Sequence, residues 1–161
     1  MTERSLSIAV LTISDTRTPT EDRSGDILCE SLKQSGHALV DRAMEIDDIY
    51  RIRARLSTWI ANPDVDVVLT TGGTGFTVRD STPEALLPLF DKTIDGFGEL
   101  FRQVSFEDIG SSTIQSRAIG GLANATLIFA LPGSTNACRT AWDKLLSSQL
   151  DINFKPCNFA E

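Results

Sequence analysis

The chain of 161 residues is short of almost every residue type that carries chemistry by itself: it has one histidine, one tyrosine, two tryptophans and three cysteines. Cys29, Cys138 and Cys157 are odd in number and none forms a CxxC pair, which argues against a structural zinc site or a disulfide framework. Cys29 and Cys138 fall in apolar helical patterns, where a thiol serves as a small hydrophobe. His37 follows Gly36 at a helix exit, a structural place for a lone imidazole. No apolar run approaches the roughly 20 residues of a membrane helix. No basic segment followed by an apolar one opens the chain, so a cytoplasmic protein away from membranes is expected. A basic excess is missing too: 15 lysines and arginines stand against 22 acids, for a net charge of −7. That disfavours a nucleic-acid face but leaves room for a small anion in a locally positive pocket.

What is present is an alternation of strand and helix patterns across one domain, residues 1–161. Leu6–Ser14 reads as a buried strand, rich in aliphatic and β-branched residues. A polar loop runs from Asp15 to Arg23. A helix from Ser24-Gly25-Asp26 to about Ser35 stops at Gly36. His37–Ala43 is a second strand. Asp47-Asp48 opens a helix with Ile52, Leu56, Trp59 and Ile60 on one face. Val65–Thr71 is a third strand. Ser81-Thr82-Pro83-Glu84 has the form of a capping box with proline in the first turn, leading a helix through Leu89 and Phe90. Another helix starts at Asp95 and carries Phe97, Leu100, Phe101 and Phe106, apolar positions suited to the core or to a subunit contact. Gly110–Gly121 fits no element. Ala125–Leu131 is a strand, Thr135 to about Leu150 a helix, and 151–161 has little periodicity and is expected to be loosely held. The pattern predicts an α/β fold with a mostly parallel sheet.

In such sheets ligands bind beyond the carboxyl ends of the strands. Three segments share that place: Ser14-Asp15, the turn Thr70-Thr71-Gly72-Gly73-Thr74-Gly75, and Pro132-Gly133-Ser134. Glycines let a ligand approach the backbone, successive amides form an anion nest, and Thr71 and Thr74 add hydroxyls. The turn is neither a P-loop nor GxGxxG; its plainest reading is a strand-to-helix connection. Asp80, just beyond it, suits magnesium bound with phosphate or merely complements a helix N-terminus. Asp47 and Asp48 read as helix caps or as a second carboxylate on the same metal.

Thr70–Gly75 followed by Arg79-Asp80-Ser81-Thr82-Pro83-Glu84-Ala85 resembles the MoaB/MogA family of molybdenum-cofactor biosynthesis proteins. Leu11–Asp15, Ser24-Gly25, Gly96-Phe97-Gly98-Glu99 and Leu131–Ser134 agree with it in order and spacing, over nearly the whole chain. The length is similar to free-standing MoaB. The second proline that many MogA relatives carry after Pro-Gly is absent here, where Ser134-Thr135 follow. The resemblance implies a three-layer α/β/α fold that binds molybdopterin. It also implies transfer of an adenylyl group from magnesium ATP to molybdopterin, with release of pyrophosphate. The product would pass to a MoeA-like partner, and the assembly would be a homotrimer or homohexamer. The family's acids carry over to Asp80 and to Asp47, with Asp48 as the register-shifted alternative; both Asp47 and Asp80 would hold Mg2+ with ATP. The substrate set comprises Ser14, Asp15, Ser24, Gly25, Thr71, Gly72, Gly73, Thr74, Gly75, Thr82, Glu84, Gly133 and Ser134. Two other readings stand beside it: a non-catalytic molybdopterin-binding scaffold, and a different nucleotide hydrolase on the same fold.

Overall fold

Strand β1 (Ser7–Ile13) is buried almost end to end, and its side chains divide by parity. Ile8 and Val10 join Leu28, Leu32, Phe101 and Trp142 in one core, whereas Ala9, Leu11 and Ile13 join Ile52, Leu56, Trp59 and Leu86 in another. A sheet that is apolar on both faces needs helices on both, and the computed structural model, which describes residues 3–161, supplies them. Its remaining elements are α1 (Arg23–Gln34), β2 (Ala38–Glu45), α2 (Ile49–Ala61), β3 (Val67–Thr71), α3 (Thr82–Leu86), β4 (Lys92–Thr93), α4 (Asp95–Ile109), β5 (Ile119–Ala123), β6 (Thr126–Leu131) and α5 (Thr135–Ala141). Helices α1, α4 and α5 cover the first core; α2 and α3 cover the second. The fold is therefore three-layered α/β/α.

The sheet order is β2-β1-β3-β6-β5-β4. The first four strands are parallel, while β5 and β4 add an antiparallel edge. The chain leaves β1 towards β2 on one side and returns to β3 on the other. The carboxyl ends of β1 and β3 thus form the point where strand order reverses, the usual ligand crevice. Among the described residues no helix is long and apolar enough to cross a membrane.

Caps fix where the helices begin. Asp22 accepts from the amide of Gly25 to start α1, and Asp48 accepts from the amides of Tyr50 and Arg51 to start α2. Asp48 is thus the cap, which frees Asp47 to point elsewhere. Gly36, at φ +85°, closes the exit of α1.

Several elements differ from the sequence expectation. The capping box at Ser81 does not form: its hydroxyl makes no cap bond in α3 and donates instead to Asp47, and Glu84 pairs with Arg117. The helix after it ends at Leu86, with a single tight turn over Leu87–Leu89. The unassigned stretch Gly110–Gly121 contains a helical turn (Gly110–Gln115) and enters β5. Ala125 is not in a strand; with Asn124 it makes the two-residue β5–β6 turn, both at positive φ (48° and 65°), as tight hairpins require. The last helix does not end at Ala141 but runs on through a wider turn, Trp142–Leu146, and a final turn at Ser147–Gln149. Phe97 and Phe101 are core residues, whereas Leu100 and Phe106 remain about half exposed. The tail expected to be loose is anchored at its end: Ala160 is buried, its carbonyl accepts from Arg4, Phe159 packs on Phe129, and the Phe159 amide donates to Gln149. Cys29 and Cys138 are buried, and His37 accepts from the Leu6 amide at 3.2 Å.

Candidate functional site

Strands β1, β2, β3 and β6 each release the chain at one end of the sheet, and their exit loops meet there. The glycine turn leaves β3 with Gly72 at φ +103° and Gly73 at φ +72°. Side chains are strained at these angles and space forbids them as well: a Cβ on Gly72 would collide with the Ile13 carbonyl, and one on Gly73 would lie 2.8 Å from the Asp47 carboxylate. Thr82 pins the turn, its hydroxyl donating to the Gly72 carbonyl (2.9 Å) and its amide to the Gly73 carbonyl (3.0 Å). The amide of Gly72 is spent on Leu131. Among the described residues, the next three amides, of Gly73, Thr74 and Gly75, donate no hydrogen bond. Three consecutive free N–H groups in a positive-φ turn make an anion cradle.

Two acids flank this turn. Asp47, in the loop between β2 and α2, is buried and accepts from the amide and hydroxyl of Ser81. Burial raises its carboxyl above the usual aspartate range, outweighing the two Ser81 donors, and the charges of Asp15 and Asp80 push it further up. Asp80 lies on the other flank, where a Cβ on Gly75 would stand 2.7 Å from its carboxylate. Its Oδ2 accepts from the amide and hydroxyl of Thr77 (2.9 and 2.8 Å). No lysine or arginine forms an ion pair with Asp47 or Asp80 among the described residues. Their neighbours differ. Asp15 receives the Arg79 fork at 2.9 and 3.0 Å and the Asp47 amide, which hold it below the usual range. Glu84 is pushed up by burial but drawn down by more through Arg117, so it too sits low. The uncompensated acids are therefore the two beside the free amides. No cluster of three or more metal-ligating side chains exists among the described residues. Magnesium bound with phosphate needs only one or two carboxylates, and Asp47 and Asp80 are the carboxylates flanking the turn that could supply them.

Beside the turn a cleft of about 210 Å³ opens towards α4 and α5, lined among others by Thr74, Gly75, Ser105, Ser116, Ser134 and Thr140. The hydroxyls of Thr74 and Ser116 are buried without a hydrogen-bond partner. Buried hydroxyls are nearly always paired; the Thr70 hydroxyl, within β3, is also unpaired, but only Thr74 and Ser116 line the cleft.

The other residues named from sequence fall into two groups. Ser134 lines the cleft and caps α5 by accepting from Ala137 (3.1 Å). Gly133 lies against Gly72, which brings the β6 exit beside the glycine turn. Ser14 accepts from the amides of Thr16 and Arg17 and shapes the β1 exit. Three residues instead serve the scaffold. The Thr71 hydroxyl, expected to face an anion, donates to the Pro132 carbonyl (2.9 Å) beside Cys138, because β3 and β6 are clasped there. Ser24 donates to the Gly133 carbonyl (2.7 Å), and Gly25 is packed against Asp22 and Thr12.

Sequence reasoning missed Arg117, which bonds to the Gly75 and Asp80 carbonyls and to Glu84. The only signal was that it is the sole charged residue in 110–121. It also missed the cleft hydroxyls of Ser105, Ser116 and Thr140, which stand in segments with no motif.

Comparison with known proteins places the chain in a family. Residues 9–151 match the family model described as a probable molybdopterin binding domain. The chain is 57% identical over 152 residues to molybdenum cofactor biosynthesis protein B of Escherichia coli K12, covering 94% of this chain and 89% of that protein. A crystal structure of a molybdenum cofactor biosynthesis protein B superposes with a TM-score of 0.90 at 46% identity, over 93% of this chain and 94% of that one. The tungsten cofactor synthesizing protein MoaB from Pyrococcus furiosus superposes with a TM-score of 0.81 at 36% identity, over 91% and 94%.

Proposed function

The chain belongs to the MoaB/MogA family of molybdenum-cofactor biosynthesis proteins, most like its free-standing MoaB members, and from that premise we propose that it binds molybdopterin at the glycine turn and adenylylates its phosphate with ATP. The observation that carries this reading is the pairing of three free amides with two carboxylates that have no cation of their own.

In the reaction a terminal phosphate oxygen of molybdopterin attacks the α-phosphorus of ATP. A new P–O bond forms, the bond from the α-phosphorus to the bridging oxygen breaks, and pyrophosphate leaves with that electron pair. Little covalent work falls to the protein, which aligns the groups and offsets their charge. The amides of Gly73, Thr74 and Gly75 hold a phosphate. Thr74, Ser116 and Ser134 meet the polar edges of the pterin in the cleft. Asp47 and Asp80 would hold magnesium, which, when bound with ATP, offsets the triphosphate charge. Ser81 donates twice to Asp47 and so favours its charged form against the burial that opposes it.

Purified protein given molybdopterin, ATP and magnesium should release pyrophosphate. Asp80→Asn should lower kcat by about 10²- to 10³-fold, the usual cost of one electrostatic group at a reacting phosphate or oxyanion, with the melting temperature unchanged. Molybdopterin binding without pyrophosphate release would leave a binding or carrier protein and refute the transferase reading.

A further inference from the structure

Arg117 stands outside every motif, between the helical turn Gly110–Gln115 and β5, yet two of its three guanidinium nitrogens are aimed at the glycine-turn loop and the third at α3. Nε donates to the Gly75 carbonyl at 2.8 Å, Nη2 donates to the Asp80 carbonyl at 2.9 Å, and Nη1 pairs with Glu84. Its own amide donates to the Thr74 carbonyl at 2.8 Å. The guanidinium also lies 5.9 Å from the centre of the Phe76 ring. Gly75 and Asp80 are the two ends of the exposed loop that carries Phe76, Thr77, Val78 and Arg79. Internal bonds between Thr77 and Asp80 shape that loop, and Arg79 ties its middle to Asp15 and the Asp47 carbonyl, whereas Arg117 holds its two ends.

We propose that Arg117 is a positioning residue for the reaction, clamping Gly75 and Asp80 by their carbonyls so that the Asp80 carboxylate stays beside the free amides. The role rests on the adenylyl-transfer reading above. The clamp depends on shape: two carbonyls are spanned by one planar fork. Lysine, a point charge on a flexible stem, cannot span them. The clamp is also peripheral. Arg117 packs in neither apolar core, and its exposed pairing with Glu84 adds little stability. Losing the fork therefore loosens the loop without unfolding the domain, and a displacement of about 1 Å at a reacting group can cost on the order of 10² in rate.

The test compares wild type with Arg117→Ala, Arg117→Lys, Asp80→Asn and the double variant Arg117→Ala/Asp80→Asn, measuring pyrophosphate release with molybdopterin and magnesium ATP. Both single Arg117 variants should lose about 10- to 100-fold in kcat, with KM for molybdopterin and melting temperature nearly unchanged. Millimolar guanidinium should restore part of the Arg117→Ala rate. In the Asp80→Asn background Arg117→Ala should change little, because it acts through Asp80. Wild-type kcat in Arg117→Lys would overturn the clamp in favour of charge alone. A full additional loss in the double variant would overturn action through Asp80. An active wild type with an unaffected Arg117→Ala would overturn this proposal alone, whereas a wild type that releases no pyrophosphate would overturn the transferase reading beneath it.

Discussion

Asp47 and Asp80 flank one glycine turn but are held in opposite ways. Asp47 is gripped by its side chain: the carboxylate is buried and receives both donors of Ser81. Asp80 is gripped by its backbone: its carboxylate closes only on Thr77, one turn away, while Arg117 takes its carbonyl. Each acid also has an arginine behind it, since Arg79 donates to the Asp47 carbonyl at 3.1 Å. Arg79, however, spends its fork on Asp15 and is largely exposed, at 63% of its side chain. The difference teaches that an acid fixed through its carboxylate is sensitive to desolvation and pH, whereas one fixed through its carbonyl is sensitive to whatever moves its loop.

The comparison can be broken most forcefully at Asp80, where the asparagine variant should remove about 10²- to 10³-fold in kcat with no change in stability. Ser81→Ala should come next. It removes a donor that holds the Asp47 carboxyl down, so that group titrates still higher. The acidic limb of the kcat profile should move to higher pH by about one unit, in line with a charged-group hydrogen bond of about 1.5 kcal/mol, so activity should fall more on the acidic side than on the alkaline side. An unshifted limb would show that Asp47 need not be ionised.

A smaller effect of opposite sign is expected in the fold itself. The Asp47 carboxyl holds its proton to higher pH in the folded chain than in the unfolded one. Its contribution to stability is therefore present below the unfolded value and lost as pH rises through the folded value. Asp47→Asn, which stays neutral, should raise the melting temperature at pH 7. That gain should vanish as pH falls into the ordinary aspartate range. Arg79→Ala should give the least. Its partner Asp15 is held below the usual range, so this pair stabilises above the unfolded aspartate value and ceases to do so as pH falls through the folded one. An exposed pair is also screened, so denaturant titrations should show a slight loss at low salt that disappears at high salt.

Much of this architecture was legible. β1 and β3 are aliphatic and β-branched, and Ile52, Leu56 and Trp59 keep a helical spacing, so period alone reveals them. β5 was not legible because Gly120 and Gly121 contribute no side chains of their own; Phe129 and Phe90 lie against them instead. Ser81 misled because a serine three residues before a glutamate looks the same whether it caps a helix or serves an aspartate from another loop. At the site, strand-end junctions marked the glycine turn and both acids. Arg117 was invisible because it works on main-chain carbonyls, which leave no pattern in the residues they belong to. Thr71 and Gly25 also hold the scaffold, Thr71 by donating to the Pro132 carbonyl and Gly25 by packing on Asp22 and Thr12, contacts that no sequence pattern shows.

Val78, midway between the clamped ends of the loop, is fully exposed at 102%. A residue whose side chain touches nothing can carry a foreign one, so this position is a natural point of chemical attachment. Cys29 and Cys138 are buried, with the Cys138 thiol pushed up to about 11, and only Cys157 is open to reagents. With Cys157→Ser removing that competitor, Val78→Cys would take a maleimide dye selectively. The dye would sit two residues from Asp80, and its emission would follow the loop in real time as ligand arrives.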